Sequence, residues 1–504
     1  MQFRAGQGDD FMGQMRFVIP QPERLVAGAT EQAYLAGPEG IPWECQTTLA
    51  GNLLTIQRDT RESGYLYFPW NVPGRGIVVL CSGSLLERAK PFQLPVELAR
   101  GTINRLRNQA SLWQASGLLL PAQLNELTRL ATVAFAQAAT GQFHPAGAQE
   151  HADEAIRLGL EAIHLLTHDY ARQVLALRRG QHAPLGTLLG ARLQAAPTPD
   201  QEARFLAAFN TAVVSPSWHS IESTAGKFQW EALDAQVQWA RDQNLRLCLG
   251  PLMQFDKHLL PDWLFLDDDF EEVQLSALQA IEAVVKRYRG KVNLWHVAGR
   301  MNQLGAFRFS EEQRLRLVVE AVDRVRALDA RTPMIVSFDQ PWGEYIVRQD
   351  QELTPLHFAD TLVRGELGLA GIGLEMNLGY WPGGTLPRDP LEVSRQLDRW
   401  AQLGVPLVVF LSVPSSDGPD PLAQRPGRVV PGLVAGGLTA RWQASEIESL
   451  APLIVAKPAV QALVWNFWRD DVAHDFPHGG LCDAKGEPKP GLALLAELRN
   501  SLIG

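Results

Sequence analysis

From about residue 183 onward, short apolar segments alternate with longer amphipathic ones, and this alternation limits the possible folds. Segments with apolar residues at intervals of three and four positions indicate helices, as in EALDAQVQWARDQN and EEQRLRLVVEAVDRVRAL. Eight strands that alternate with helices predict an α/β fold, a (β/α)8 barrel over residues 183–504. The eight segments with the length and composition of buried strands are LGTLLGARL, FNTAVVS, LRLCLGP, VNLWHVAG, PMIVSF, GIGLEMN, PLVVFLSV and ALVWNFW.

A doubly wound open sheet is the alternative arrangement for the same alternation. That class commonly binds a nucleotide at a glycine-rich turn after its first strand. No GxGxxG segment follows the first predicted strand, and no segment resembles a phosphate-binding P-loop. The closed barrel is therefore the favoured prediction, and no cofactor is expected.

The first 182 residues predict two further units. Residues 1–90 contain short β-rich segments separated by Gly and Pro, and alternation such as that of Leu54 and Ile56 indicates half-buried strands. They predict a small β-sandwich. Residues 91–182 switch to helical periodicity, most clearly over 148–179. We expect this segment to form a helical bridge between the sandwich and the barrel.

Composition and charge exclude several classes of partner. The 504 residues have a formal net charge of -9 and no basic cluster of the kind that neutralises nucleic-acid phosphates. No apolar segment reaches the about 18 residues needed to span a membrane, and the first residues lack the apolar segment of a signal peptide. We expect no nucleic-acid partner, no membrane span and a cytoplasmic location, while the oligomeric state is not predicted.

The four cysteines are far apart in the sequence and form no CxxC pair. Buried free thiols are the favoured interpretation, and a disulfide between Cys45 and Cys81 is the alternative. No metal site is predicted either. His258 and His296 lie at predicted strand ends, but no HxH or HExxH spacing supports a metal centre there.

Functional residues of a (β/α)8 barrel lie at the carboxyl ends of its strands. In this chain, those ends comprise Ser215–Trp218, Gln254–His258, His296–Arg300, Phe338–Trp342, Glu375–Asn377, Leu411–Val413 and Asn466–Arg469.

Several longer segments of the barrel region match one known pattern in order. They are FNTAVVSPSWHSIESTAGKFQWEALD, LPDWL, RYRGKVNLWHV, GIGLEMN, LGVPLVVFLSV, and ALVWNFW with KGEPKPGLALL. Through these segments, residues 183–500 resemble the family 10 glycoside hydrolases, the retaining β-xylanases. The resemblance implies a barrel whose mouth binds a polysaccharide, and it does not extend to the first 180 residues.

The resemblance also indicates which catalytic groups should be present. A retaining glycosidase holds two carboxyl groups about 5–5.5 Å apart, one as nucleophile and one as acid/base. The family's acid ends strand four in a Trp-Asp-x-x-Asn-Glu pattern, where this chain has Gly299 and Arg300 in place of the Asn and Glu. The family's nucleophile follows strand seven, where the matching residue is Leu411. Because arginine keeps its proton near neutral pH, the resemblance implies that both catalytic positions have been replaced.

Carboxylates at other strand ends provide an alternative catalytic pair. Glu375 ends the sixth strand and Asp339 the fifth, and Glu344 follows five residues later. Adjacent strands lie about 4.8 Å apart, so these carboxyl groups can approach the distance that a glycosidase needs. The competing interpretation, which we favour, is a buried salt bridge between Glu375 and Arg300 that offsets the desolvation of the arginine.

Tryptophan is the residue type that most favours a carbohydrate role, because its flat ring stacks on the apolar face of a sugar. Trp342 and Trp381 lie in Gly- and Pro-rich loops, where burial is less automatic, and Trp468 matches a pocket-lining Trp of the family. Asn377 and Gln254, polar residues at strand ends, complete the predicted carbohydrate-binding set.

Three hypotheses follow from these observations. The favoured one is a catalytically degenerate barrel that binds a glycan or a protein partner, with residues 1–90 as an accessory unit resembling a carbohydrate-binding module. The second is an active retaining glycosidase, acting on xylan or a related β-glucan or β-xyloside through relocated carboxylates. The third is a structural scaffold that assembles through the helical segment 148–181.

Overall fold

The N-terminal residues form two sheets in the computed structural model, which describes residues 13–181, 185–266, 269–349, 351–425 and 427–503. The strands are β1 (Gly13–Val18), β2 (Tyr34–Ala36), β3 (Gln46–Ala50), β4 (Leu53–Arg58), β5 (Gly64–Val72), β6 (Gly76–Leu85) and β7 (Phe92–Gln93). One sheet has the order β3–β4–β1–β7 and the other the order β2–β5–β6. Two sheets of this kind are what the predicted β-sandwich requires.

Three long helices follow the two sheets and share their core. The helices of this part of the chain are α1 (Ala29–Gln32), α2 (Leu94–Ala115), α3 (Ala122–Thr140) and α4 (Pro145–Gln181). One buried cluster contains Phe17 and Phe68 from the two sheets together with Leu98, Ala134 and Ile156 from α2, α3 and α4. The sheets and the helices therefore stabilise each other by burying the same apolar surface.

Eight parallel strands form a closed barrel, as predicted. They are β8 (Leu188–Leu193), β9 (Thr211–Val214), β10 (Arg246–Leu249), β11 (Leu294–Gly299), β12 (Met334–Asp339), β13 (Gly371–Asn377), β14 (Leu407–Ser412) and β15 (Val460–Trp465). Each strand pairs with the next, and β15 pairs with β8, which closes the sheet. The closure excludes the doubly wound open sheet.

Helices connect the barrel strands and pack around them. They are α5 (Pro199–Ala208), α6 (Trp218–Ile221), α7 (Glu231–Asp242), α8 (Phe270–Tyr288), α9 (Glu311–Leu328), α10 (Pro355–Arg364), α11 (Pro390–Trp400), α12 (Ala440–Ala456) and α13 (Pro490–Leu498). Shorter 3-10 helices span Pro22–Arg24, Lys257–Leu259, Asp262–Leu266, Glu344–Arg348 and Ala401–Leu403, and a π-helix spans Arg499–Ile503.

Helix α9 shows how the sequence determines such an element. The Ser310 side chain accepts a hydrogen bond from the backbone N–H of Gln313, whose own side chain accepts one from the backbone N–H of Ser310, so that a capping box begins the helix. Leu317, Ala321 and Val325 then recur on the buried face at the spacing of one helical turn. Capping and periodicity thus agree on where the helix begins and which face it buries.

Alternate residues of each barrel strand point to opposite sides of the sheet. An inner cluster includes Val213, Cys248, Ile335, Phe410 and Val464. The residues between them in sequence belong to a second cluster, which joins the strands to the surrounding helices. The apolar inner cluster fills much of the barrel interior.

The N-terminal part packs on one side of the barrel through buried polar contacts. Strand β6 donates the backbone N–H of Val79 to the carbonyl of Pro387, at 2.9 Å. Arg105 of α2 pairs with Asp389 at 2.8 Å and Glu392 at 3.3 Å, where α11 begins. The segments after β12 and β13 are therefore covered by the N-terminal part.

The four cysteines are buried free thiols, in agreement with the favoured interpretation, and Cys45 and Cys81 are not bridged. No helix among the described residues combines the length and the apolar content needed to cross a bilayer.

We predict that Arg105→Ala lowers the free energy of unfolding by about 3–5 kcal/mol, because it leaves two buried carboxylates without their cation. Urea denaturation followed by far-UV circular dichroism measures the change. Arg129→Ala, at an exposed pair with Glu126 on α3, is the control and should leave the transition midpoint unchanged. Equal midpoints for the two variants would contradict a stabilising role for the buried contact.

Candidate functional site

Polar side chains from several strands and loops meet at the carboxyl-terminal mouth of the barrel. Arg300, which directly follows β11, lies at their centre and is 4% exposed. Its backbone φ is +60°, a left-handed conformation that is unfavourable for a residue other than glycine. The surrounding contacts must therefore hold Arg300 in place.

Four carboxylates provide those contacts. Arg300 Nε lies 2.6 Å from Glu375 Oε2 and 4.0 Å from Asp339 Oδ2, and Arg300 Nη1 lies 2.7 Å from Asp475 Oδ2 and 3.2 Å from Asp256 Oδ2. The salt bridge between Arg300 and Glu375 that the sequence favoured is thus present. Three further carboxylates join it.

A second arginine enters the same group from the long segment after β14. Arg425 Nη2 lies 2.9 Å from Asp339 Oδ2, and its Nε lies 3.7 Å from Asp256 Oδ1. We call Arg300, Arg425 and the four carboxylates the mouth network. Neither Arg425 nor Asp475 was predicted from the sequence, because both lie in long loops without a periodic pattern.

The mouth network keeps most of its members charged despite burial. Burial alone raises the pKa of Glu375, but Arg300, with Arg192, outweighs it and leaves that pKa below the usual value. Arg300 likewise holds the pKa of Asp475 well below its usual range. For Asp339 the balance is opposite, since burial raises its pKa more than Arg425 and Arg300 lower it. Adjacent carboxyls on β12 and β13 therefore have opposite pKa shifts.

A hydrogen-bonded chain supports Glu375 from below. Ser337 Oγ donates to Glu375 Oε1 at 2.8 Å and accepts from His296 Nε2 at 2.9 Å. Burial, together with nearby Arg192, lowers the pKa of His296 to about 3, so the imidazole is neutral. Both carboxylate oxygens of Glu375 thus accept hydrogen bonds from other side chains of the protein.

Gly299 occupies the position of the family's Asn, and the packing leaves little room for a side chain there. A Cβ built on Gly299 would lie 3.1 Å from Pro251 Cγ and 3.3 Å from Gln254 Oε1. A side chain at residue 299 would therefore require Pro251 or Gln254 to move.

At the end of β14, Leu411 lies in the cluster between strands and helices, whereas Phe410 belongs to the inner cluster. The inward-facing residue nearest the mouth is Ser412, whose Oγ donates to Asn377 Oδ1 at 2.6 Å. Neither Leu411 nor Ser412 carries a carboxylate.

The remaining predicted catalytic and polar residues lie apart from one another. Glu344 accepts from Arg388 Nη2 at 2.6 Å and is buried beneath the N-terminal part, away from the mouth network. Asn377 is buried and bonded to Ser412, Asn466 and Asp339. Gln254 donates to Asp256 and borders a cavity, so it remains a candidate binding residue.

The three predicted sugar-binding tryptophans are not brought together. Trp342 is buried, its Nε1 donating to Glu392 Oε1 at 3.3 Å. Trp468 is buried with its ring edge-on to Phe205, the centroids 5.2 Å apart. Trp381 is partly buried against the core of the N-terminal part. We therefore leave the three out of the proposed binding site.

A cavity of about 290 Å³ lies beside the mouth network, where β8, β9 and β10 end. Arg192 and Gln254 form its inner wall, and His219 and Gln424 lie at its exposed rim. Asp475, a member of the mouth network, forms part of the wall. Within the described residues, no group of three His, Cys, Asp or Glu side chains is placed to hold a metal ion.

The model of glycosyl hydrolase family 10 matches residues 181–311, which include β8 to β11 and Arg300. The predicted resemblance to this family is confirmed. The match covers about a quarter of the chain.

Similar solved structures include several members of that family. Native xylanase 10B from Thermotoga maritima is 15% identical, with 66% of this chain and 98% of that chain covered at a TM-score of 0.47. GH10 from Paenibacillus barcinonensis is 20% identical, and the match covers 65% of this chain and 97% of that chain at a TM-score of 0.48. TsXylA, an intracellular xylanase from Thermoanaerobacterium saccharolyticum, is 17% identical, and the match covers 61% of this chain and 95% of that chain at a TM-score of 0.46.

We predict that Arg300→Met lowers the free energy of unfolding by about 3–5 kcal/mol, because four carboxylates then face one another with one less cation. Chemical denaturation at pH 7 measures the change. Arg316→Met, at an exposed pair with Glu271, is the control and should leave the midpoint unchanged. An Arg300→Met midpoint equal to that of the unmodified protein would show that the mouth network does not stabilise the fold.

The loops after β14 and β15 are joined by a second charged pair. His474 Nε2 lies 3.0 Å from Asp420 Oδ2, and His474 Nδ1 lies 2.7 Å from the carbonyl of Val472. Burial lowers the pKa of His474, but these acceptors outweigh it and raise that pKa above its usual value. Burial raises the pKa of Asp420, but bonds from His474 and the His478 N–H leave it below its usual value.

The stabilisation from this pair depends on pH. The stabilisation from protonated His474 is complete below about pH 6.5 and is lost as the pH rises through the raised pKa of His474. The stabilisation from ionised Asp420 is complete above about pH 4. We predict that Asp420→Asn lowers the urea midpoint more at pH 5.5 than at pH 9. His474→Gln should show the same difference between the two pH values. A pH-independent effect of Asp420→Asn would indicate a neutral hydrogen bond instead.

Proposed function

We propose that this chain is a family-10-like barrel that binds a carbohydrate at its mouth without hydrolysing it. One observation supports the loss of hydrolysis: Arg300, which the sequence pattern aligns with the family's acid, pairs with the carboxylates around it. Arginine cannot act as a general acid near neutral pH. The four carboxylates of the mouth network are each paired with Arg300 or Arg425.

Hydrolysis with retention requires two carboxyl groups that reach the same glycosidic bond. Glu375 and Asp339 lie opposite each other on paired strands, but neither has any exposed surface. Arg300 contacts both groups, and Arg425 contacts Asp339. A sugar could reach this pair only if both arginines moved away.

The cavity beside the mouth network supports carbohydrate binding. Its wall combines hydrogen-bonding groups with apolar surface, as a sugar ring with polar edges and apolar faces requires. The hydrogen-bonding groups include Ser217, Gln254, His258 and Gln424, and the apolar ones include Trp218 and Leu252. Because the similar structures are xylanases, oligosaccharides of xylose are the first ligands to test.

An active glycosidase with relocated carboxylates is the second candidate function, and the opposite pKa shifts of Asp339 and Glu375 favour it. Two carboxyls whose surroundings separate their pKa values can divide the roles of acid and nucleophile. In this alternative Asp339 is the acid and Glu375 the nucleophile. The burial of both groups is the argument against it.

The scaffold hypothesis gains no comparable support. Helix α4, which contains the segment expected to form an interface, packs along α2, α3 and α12 of its own chain. Its buried residues, such as Ile156 and Ile163, are used in the core of the N-terminal part.

We predict no turnover of xylan or of a panel of aryl β-glycosides by the unmodified chain, measured as reducing sugar or released phenol. Arg300→Glu should also be inactive, because Ser412 still leaves strand seven without a nucleophile. Activity in Arg300→Glu would reveal a nucleophile already present. Turnover by the unmodified chain that disappears in Glu375→Gln would establish the second candidate function.

Isothermal titration with xylo- and cello-oligosaccharides, and with acidic oligosaccharides, tests binding separately from hydrolysis. Heat that saturates for any of these ligands supports the carbohydrate-binding proposal. No saturable heat from any of them would contradict it and favour the scaffold hypothesis.

A further inference from the structure

Arg192 differs from the other arginines at the barrel mouth. It lies on β8, its backbone paired with Val213 of β9, and 8% of its surface is exposed. Its Nε and Nη2 atoms are buried without a hydrogen-bond partner. Among the residues that the structure describes, no carboxylate lies within ion-pair distance of it. By contrast, Arg300 and Arg425 each pair with carboxylates of the mouth network.

An unpaired buried guanidinium costs stability, because desolvation is not offset by a nearby anion. Burial lowers the pKa of Arg192 more than the more distant Glu375 raises it. The aromatic ring of Phe410, 5.7 Å from the guanidinium carbon, gives only weak compensation. The fold thus contains a cation whose partner is not supplied by the described residues.

That cation borders the cavity of about 290 Å³ at the ends of β8, β9 and β10. The rim residues His219 and Gln424 are exposed, whereas Arg192 is buried, so the guanidinium lies at the inner end. Gln254 Oε1, also on the wall, is a buried acceptor without a partner. Two side chains with buried polar atoms that lack a hydrogen-bond partner, Arg192 and Gln254, therefore line the same cavity.

We infer that this cavity takes a carbohydrate that carries a carboxylate, such as a hexuronic acid residue, and that the carboxylate pairs with Arg192. This inference rests on the proposed carbohydrate-binding function and specifies its ligand. The carboxylate would supply the anion that Arg192 lacks, and a hydroxyl of the sugar could donate to Gln254 Oε1. Polar groups nearer the rim, His219 and Gln424, would contact the rest of the ligand.

A carboxylate fits the cavity better than a phosphate group does. The planar guanidinium matches a carboxylate with two parallel hydrogen bonds. A phosphate monoester carries up to two negative charges, whereas Arg192 is the one arginine or lysine among the described residues that line the cavity. Asp475 on the same wall would repel a second negative charge.

Titration calorimetry with matched ligands tests the inference. The acidic ligands are a galacturonic acid disaccharide and a glucuronic-acid-substituted xylo-oligosaccharide. The neutral ligands are xylobiose, cellobiose and the unsubstituted xylo-oligosaccharide of equal length. Acetate and inorganic phosphate show whether an anion alone is sufficient. We expect the acidic sugars to bind about tenfold or more tightly than their neutral counterparts, with the difference shrinking as salt concentration rises.

Two variants assign the effect to Arg192. Arg192→Gln removes the charge and should lower the affinity for acidic sugars about tenfold or more, leaving that for neutral sugars nearly unchanged. Arg246→Gln, which removes an exposed charge from β10, is the control and should alter neither affinity. Because no described carboxylate pairs with Arg192, thermal unfolding of Arg192→Gln should begin no lower than in the unmodified chain. If that variant does not fold, Arg192→Lys, which keeps the charge but loses the planar fork, should give a smaller loss.

The possible contradicting outcomes are distinguishable. Equal affinities for acidic and neutral sugars, unchanged in Arg192→Gln, would overturn the acidic-ligand inference and leave carbohydrate binding intact. Acetate or phosphate binding as tightly as the acidic sugars would show an anion site without sugar recognition, which also overturns it. Absence of binding by every sugar would overturn the proposed function together with the inference.

Discussion

A buried guanidinium needs anions close to it, and this requirement organises the mouth of the barrel. Arg300 draws together carboxylates from four parts of the chain: Asp256 after β10, Asp339 on β12, Glu375 on β13 and Asp475 after β15. Removing any one partner leaves a charge that the interior cannot solvate, so the four segments are coupled through one side chain. The left-handed backbone of Arg300 is tolerated because these contacts fix its position.

The same requirement changes what carboxylates at this place can do. In a retaining glycosidase two of them must be free to reach the sugar. Here Glu375 receives hydrogen bonds from Arg300 and Ser337, and Asp339 lies against Arg425. Both groups are buried and bound to arginines, and this arrangement is the basis of the proposed loss of hydrolysis. Arg192 has the opposite status, since it is buried and no described carboxylate pairs with it, and the proposed ligand would supply that anion.

Much of this structure could be predicted from the sequence, because buried parallel strands and amphipathic helices leave local patterns. All eight barrel strands were predicted from such patterns. The pairing of Arg300 with Glu375 was predicted from the positions of both residues at strand ends. Arg425 and Asp475 were not, since long loops have no periodicity and their contacts join residues distant in sequence. Leu411 shows how accurately an alignment must be known before an inward-facing residue can be predicted. Successive residues of a strand face opposite sides, so an error of one residue reverses the predicted face, and the inward-facing residue here is Ser412.

The N-terminal part explains why the cavity lies to one side of the barrel axis. The loops after β12 and β13, for which the sequence predicted sugar-binding tryptophans, are packed against the N-terminal sheets. Arg388, in the loop after β13, donates hydrogen bonds to Glu344 and to the hydroxyl of Tyr34 on β2. Its guanidinium lies 4.8 Å from the ring centroid of Trp342. That packing uses polar and aromatic groups which could otherwise bind a ligand. The ends of β8, β9 and β10 are on another part of the mouth, where an unpaired arginine and a cavity coincide. Burial by the N-terminal part is thus the reason that the proposed binding position lies away from the loops that contain Trp342 and Trp381.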